Sequence, residues 1–170
     1  HVEKHGLYTL ESTGLLETSG ILRTRTQPVL KESQSNGTGR NFLMSQYLKE
    51  GSYQLTVSAK GNTTGHLGIT LKSSVPEKGG LLNLDEPKRY FLHAGKGLSY
   101  DLQIETKGTY SLKTLGLNKL LKVRVEDEDG WPLFEPDKNG DIERIFEPGK
   151  YKVTLLPEPV DTRTVTQLTK

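Results

Sequence analysis

With 170 residues, the chain is long enough for one domain or for two small ones of the usual ~50–200 residues. Hydrophobic residues make up only 32%, beside 18 glycines and 8 prolines, which suits thin β-sandwiches with alternate residues inward better than one large core. A formal net charge of +2 gives no bulk electrostatic footing for nucleic acid, and the lack of cysteine excludes disulfides, a thiol nucleophile and thiolate zinc sites.

No run approaches the ~18 apolar residues of a membrane helix. The opening His1-Val2-Glu3-Lys4-His5-Gly6 is no signal peptide, and a strand follows it almost at once, so the reading expects a piece of a longer protein.

In chain order almost every segment reads as strand. Tyr8 and Leu10 alternate with polar neighbours behind Gly6, and Leu22-Arg23-Thr24-Arg25 follows. Phe42-Leu43-Met44-Ser45-Gln46-Tyr47-Leu48 is long enough for two helical turns, but the break at Gly51 favours a strand. Glu50-Gly51-Ser52-Tyr53-Gln54-Leu55-Thr56-Val57 is a turn running into a strand, and Leu67, Ile69 and Leu71 make the next. Residues 76–86, which follow Ser73-Ser74-Val75 and include Gly79 and Gly80, are polar and glycine-bearing and read as a linker. Beyond it come Tyr90-Phe91-Leu92, a glycine turn, then Tyr100, Leu102 and Ile104. Val123 and Val125 mark a later strand, and Glu147-Pro148-Gly149-Lys150-Tyr151-Lys152-Val153 closes the series.

The pattern repeats. Gly6-Leu7-Tyr8-Thr9-Leu10 aligns with Gly108-Thr109-Tyr110-Ser111-Leu112, and Gly14-Leu15 with Gly116-Leu117. Leu22-Arg23-Thr24-Arg25 is set against Leu121-Lys122-Val123-Arg124, and Glu50-Gly51-Ser52-Tyr53 against Pro148-Gly149-Lys150-Tyr151. The strand pair from Tyr90 to Tyr100 has no counterpart before Gly6. The first repeat is therefore expected to lack its leading strands.

The second repeat carries a familiar order: an aromatic strand pair with Ala94-Gly95, Gly108-Thr109-Tyr110-Ser111-Leu112, a strand ending in Asp127-Glu128-Asp129-Gly130, the loop Asp137-Lys138-Asn139-Gly140-Asp141, and the closing Pro148-Gly149-Lys150-Tyr151-Lys152-Val153. This resembles the bacterial pre-peptidase C-terminal domain family over nearly all of residues 87–157, and more loosely over residues 6–71. The resemblance implies small jelly-roll-like β-sandwiches appended to secreted proteases and other exported proteins. The first repeat departs from it, with Thr26-Gln27-Pro28-Val29 at the aspartate-rich turn and Ser35-Asn36-Gly37-Thr38-Gly39-Arg40 at the acidic loop.

The most chemical feature is acidic. Asp137, Asn139 and Asp141 alternate as in a calcium loop, and Asp127 and Asp129 would add oxygens if they folded beside it. Ca²⁺ is the ion such a set selects, because it takes ~6–8 hard oxygen ligands in a flexible shell. The bidentate Glu of a full EF-hand loop is missing, and the plain alternative is two solvated turns capped by their own Asp and Asn side chains.

Other constellations are thinner. His1, His5, His66 and His93 lack zinc-protease spacing, no Gly-x-Ser-x-Gly occurs, and Ala94-Gly95-Lys96-Gly97 lacks P-loop spacing and a following helix. Arg23 and Arg25 share a strand face by parity and, with Arg40, are candidates for an anion or partner surface, against the alternative of solvated outward residues. Trp131, just after the acidic turn, is a candidate anchor for a sugar or protein partner, against the alternative of a cover for the sandwich end. Asn36-Gly37-Thr38 and Asn62-Thr63-Thr64 match a glycosylation sequon that carries little weight in a bacterial protein.

The expectation is all-β: two tandem antiparallel β-sandwich modules, residues 1–75 and 87–170, joined by residues 76–86. The role expected is a non-catalytic accessory, structural or interaction module of a larger bacterial protein, secreted, periplasmic or at the cell surface. Its partners would be the rest of that polypeptide and a protein or glycan ligand. The rivals are a dedicated ligand-binding module for carbohydrate or a matrix protein, using a row from Tyr47, Tyr53, Tyr100, Tyr110 and Trp131, and an enzyme with a pocket converging on His93 or the acidic turns.

Overall fold

The computed structural model describes residues 1–117, 119–133, 138–158 and 160–170, with Lys119 and Lys138 described by their backbone alone. The described chain is all-β apart from a 3₁₀ turn at Thr38–Arg40, and it divides into His1–Ser74 and Val75–Lys170.

The first unit holds β1 (Gly6–Gly14), β2 (Thr18–Arg23), β3 (Lys31–Gln34), β4 (Leu43–Leu48), β5 (Gln54–Ala59) and β6 (Leu67–Ser73). They form two antiparallel three-stranded sheets, in the orders β4-β1-β6 and β3-β2-β5. Alternation decides which face is buried: Leu7 aside, β1 turns Leu10 and Ser12 inward, β2 turns Thr18, Gly20 and Leu22, and β4 turns Met44, Gln46 and Leu48. Leu10, Leu22, Phe42, Met44, Leu48 and Val2 meet between the sheets, and removing each such side chain from water contributes on the order of 1.5–3 kcal/mol. Gly20 sits tightly at the centre, where a Cβ would lie 3.0 Å from both the Phe42 ring and the Met44 methyl and would make them give way. Leu43–Leu48 thus forms strand β4, the alternative that the Gly51 break favoured, with Phe42 just before it.

The second unit holds β7 (Glu77–Leu82), β8 (Lys88–Leu92), β9 (Leu98–Ile104), β10 (Gly108–Gly116), β11 (Lys119–Leu120), β12 (Lys122–Asp127), β13 (Lys138–Asn139), β14 (Asp141–Phe146), β15 (Gly149–Leu155) and β16 (Thr162–Thr169). One sheet runs β11-β10-β16-β8, with β14 also paired to β10; the other runs β13-β12-β15-β9-β7. Between them lies a fuller core, including Leu98, Tyr100, Leu112, Leu121, Val123, Phe146, Val153 and Leu155. The fold is a pair of β-sandwich modules.

The strand pairings correspond. β4-β1-β6 repeats as β14-β10-β16, with Leu10 opposite Met44 and Leu71 in one, and Leu112 opposite Ile142 and Leu168 in the other. Likewise β3-β2-β5 repeats as β13-β12-β15. The register of β2 corrects the sequence alignment. Leu22 faces Leu55 as Val125 faces Val153, so inward Thr18, Gly20 and Leu22 correspond to inward Leu121, Val123 and Val125. Matching Leu22 to Leu121 set the strand four residues out, because two basic-rich strands align by composition before they align by contact. Strands β7, β8 and β9 have no complete counterpart among the strands of the first unit.

The stretch read as linker is a second correction. Within residues 76–86, Glu77–Leu82 is β7, hydrogen-bonded in parallel to β9 with a bulge between Lys78 and Gly80. Its glycines have structural work: a Cβ on Gly79 would fall on the Tyr100 ring, and Gly80 takes φ +80 in the bulge.

Candidate functional site

The acidic turn is built by β12. Asp127 ends that strand, and its Oδ1 accepts hydrogen bonds from the Asp129 N–H at 3.1 Å and the Trp131 N–H at 2.8 Å. Its carbonyl accepts from Gly130 N–H at 3.1 Å, and its own N–H donates to the Trp131 carbonyl at 3.0 Å. Gly130 closes the turn with φ +82, a left-handed conformation that glycine adopts without a Cβ penalty. The chain then returns along β12, with Pro132 bridged to Glu126 and Leu133 N–H donating to the Val125 carbonyl. Asp127 is therefore the residue that ties this hairpin together, in the way short polar side chains nucleate turns.

The second acidic segment lies elsewhere. Asn139 is in β13, opposite Lys122 at the start of β12, whereas Asp127 is at its end. That length of strand rises about 16 Å, against calcium–oxygen distances of about 2.3–2.6 Å, so Asp127 and Asn139 are too far apart to ligate one ion. Asp141 begins β14 opposite Lys113, whose amine lies 3.9 Å from Asp141 Oδ2. Asp137 lies outside the described residues. Among the described residues no group of three or more His, Asp or Glu side chains is placed to hold a metal ion.

Arg23 and Arg25 do not form the strand pair that parity predicted. β2 ends at Arg23, which is half-buried and donates from Nη2 to Thr56 Oγ1 at 2.8 Å; Arg25 is exposed within the following Thr24-to-Gln27 turn. Once a strand ends, its alternation no longer carries side chains to a common face. Arg40, in the 3₁₀ turn, points to Glu17 at 3.8 Å.

The tyrosine row also dissolves. Tyr100 and Tyr110 are core residues, Tyr53 packs against the first core, and Tyr47 is half-buried. Trp131 is the exposed aromatic, at 70%. Phe91 joins it at 45%, set edge-on to His93 with 5.1 Å between ring centroids. Sequence reasoning missed Phe91, although its place between inward Tyr90 and Leu92 announces an outward side chain.

A cleft of about 390 Å³ opens in the second unit over Leu81, Leu84, Ile104, Tyr110 and Leu168. Lys170 stands at its edge, donating to Thr106 Oγ1 at 2.9 Å with its amine 5.6 Å from the Tyr110 ring centroid. Neither His93 nor the acidic turns line this cleft. His93 Nδ1 sits instead 3.5 Å from Glu77 Oε1 at the surface.

No protein-family model matches the chain, and no curated protein does. Solved structures do match. One is the pre-peptidase C-terminal domain of collagenase from Bacillus anthracis, at 14% identity and a TM-score of 0.45, covering 57% of this chain and 99% of that one. No helix among the described residues is long and apolar enough to cross a membrane.

Proposed function

We propose that the chain is a non-catalytic accessory part of a larger exported bacterial protein, made of two copies of one pre-peptidase C-terminal-like sandwich. The observation that carries the reading is where the chemistry goes: Asp127, the most engaged carboxylate of the acidic turn, accepts two backbone N–H groups of its own hairpin. Repeated sandwiches with separate cores also suit spacing and attachment, since each buries its own apolar face and leaves end loops outward. Removing residues 1–170 from the parent polypeptide tests this. Turnover of a small soluble substrate by the rest of the parent should persist while surface retention or folding yield falls; turnover lost with normal folding of the remainder counts against the reading.

A second reading, a binding module for carbohydrate or a matrix protein, is favoured by the exposure of Trp131. An aromatic face held on a rigid hairpin is a low-entropy anchor for a sugar ring or an apolar side chain. Binding to a glycan array or to collagen that is abolished by Trp131→Ala, with an unchanged melting temperature, supports it. Absence of binding at high protein concentration removes it.

A further inference from the structure

Asn-Gly occurs at Asn36-Gly37 and at Asn139-Gly140. Glycine leaves the peptide nitrogen after an asparagine unshielded by any side chain, so that nitrogen can approach the asparagine Cγ. The two pairs are matched in their surroundings. Both asparagines are exposed, and both glycine N–H groups donate to a carbonyl at 2.8 Å, Gly37 to Asn41 and Gly140 to Leu121.

Their side chains differ. Asn36 Oδ1 accepts from the Leu43 N–H at 2.8 Å and from the Ser33 hydroxyl, and Asn36 Nδ2 donates to the Leu43 carbonyl at 2.7 Å. The amide is clamped between the end of β3 and the start of β4, and it cannot swing toward Gly37 without breaking these bonds. Asn139, in β13, has no side-chain hydrogen bond or ion pair among the described residues.

The fold also fixes the reactive neighbour. A Cβ on Gly140 would fall on the Thr114 hydroxyl and lie 3.0 Å from the Leu121 carbonyl, so packing demands glycine after Asn139. The Gly140 carbonyl accepts from the Thr114 N–H of β10 at 2.6 Å, while its N–H reaches Leu121 beside β12. Residue 140 is thus a tie between the two sheets of the second unit.

We infer that Asn139-Gly140 is a covalent modification site of the folded chain, a site of deamidation, and that Asn36-Gly37 is protected from the same reaction. The Gly140 nitrogen gives its proton to solvent base and bonds to Asn139 Cγ; the Cγ–Nδ2 bond breaks and ammonia leaves. Water then opens the resulting succinimide. Opening at the side-chain carbonyl gives aspartate, and opening at the main-chain carbonyl gives isoaspartate, whose backbone runs through Cβ. Amide and water become carboxylate and ammonia, with no oxidant or reductant. Either product adds a negative charge two residues before Asp141, and isoaspartate lengthens the main chain where Asn139 pairs with Lys122. The inference goes beyond the accessory reading and does not depend on it.

Incubation of the full chain in mildly alkaline buffer, followed by peptide mapping with mass spectrometry, tests it. In the folded chain Asn139 should convert about tenfold faster than Asn36 or more, because three hydrogen bonds hold the Asn36 amide away from its reactive rotamer. In denaturant, where neither side chain is held, the two should convert at similar rates. Equal rates in the folded chain overturn the inference. So does a difference that persists in denaturant, which would assign it to local sequence, and so does an Asn139 that stays intact in the folded chain while the denatured chain converts.

Discussion

The Tyr151 hydroxyl donates to the Glu147 carbonyl at 2.9 Å, bringing its ring back over Gly149 at the start of β15. The same bond joins Tyr53 to Lys49 at 2.9 Å, Tyr110 to Thr106 at 2.8 Å and Tyr8 to Lys4 at 2.8 Å. The repeated Gly-x-Tyr signature is thus a corner in which a tyrosine anchors the carbonyl four residues before it. In the second unit two corners share a ring cluster, with Phe146 edge-on to Tyr151 at 5.2 Å and to Tyr110 at 6.1 Å.

Tyrosine-to-phenylalanine changes isolate these bonds. Tyr8→Phe, Tyr53→Phe, Tyr110→Phe and Tyr151→Phe should each lower unfolding free energy by about 1 kcal/mol, the usual net worth of one hydrogen bond. Tyr110 is buried, so the Thr106 carbonyl it leaves has least access to water, and its loss should be the largest. Four variants with wild-type denaturation midpoints would show the corners to be stabilised by packing alone.

Gly79 and Gly80 separate a strand from a linker. Gly79→Ala sets a methyl against the Tyr100 ring, an overpacking that should cost about 1–3 kcal/mol. Gly80→Ala imposes a Cβ at φ +80 in open space and should cost about 1 kcal/mol through backbone strain. A flexible linker would tolerate both, so unchanged thermal melts of the two variants would remove β7 from the sheet.

Calcium is tested by its dependence on position. Any calcium response is expected to depend on one acidic segment and not on the other, because β12 separates the two. Asp127→Ala should destabilise by about 1 kcal/mol with or without calcium, since it removes the acceptor of two turn N–H groups. Thermal melts in calcium and in chelator provide the readout. A calcium-dependent midpoint abolished both by Asp129→Asn and by Asp141→Asn would contradict the separation.

Burial pushes the Tyr100 hydroxyl above its ordinary value of 10.0. A folded-state value raised above the unfolded one gives stability that is whole below pH 10 and is lost as pH rises through the folded value. Unfolding free energy should therefore fall above pH 10, and Tyr100→Phe should flatten that fall relative to the wild type. Parallel alkaline profiles for the two proteins would place the titration on other tyrosines.

The strands of both sandwiches are legible in the residues because a half-buried strand must alternate: Tyr8 with Leu10 and Leu102 with Ile104 are visible without coordinates. The shared face of Arg23 and Arg25 and the linker expected over residues 76–86 both fail for one reason. Where a strand stops, and whether glycines lie in solvent or against a ring, depends on atoms distant in sequence.

By itself the sequence determined the all-β class and the repeated Gly-x-Tyr signature, since period and order are local properties of the chain. Only the tertiary structure decided that Asp127 ends β12 while Asn139 pairs with the start of that strand, that Tyr100 and Tyr110 are core, and that Leu67, Ile69 and Leu71 on β6 remain exposed. Each of these follows from strand register and sheet neighbours, which bring together residues that no local pattern relates.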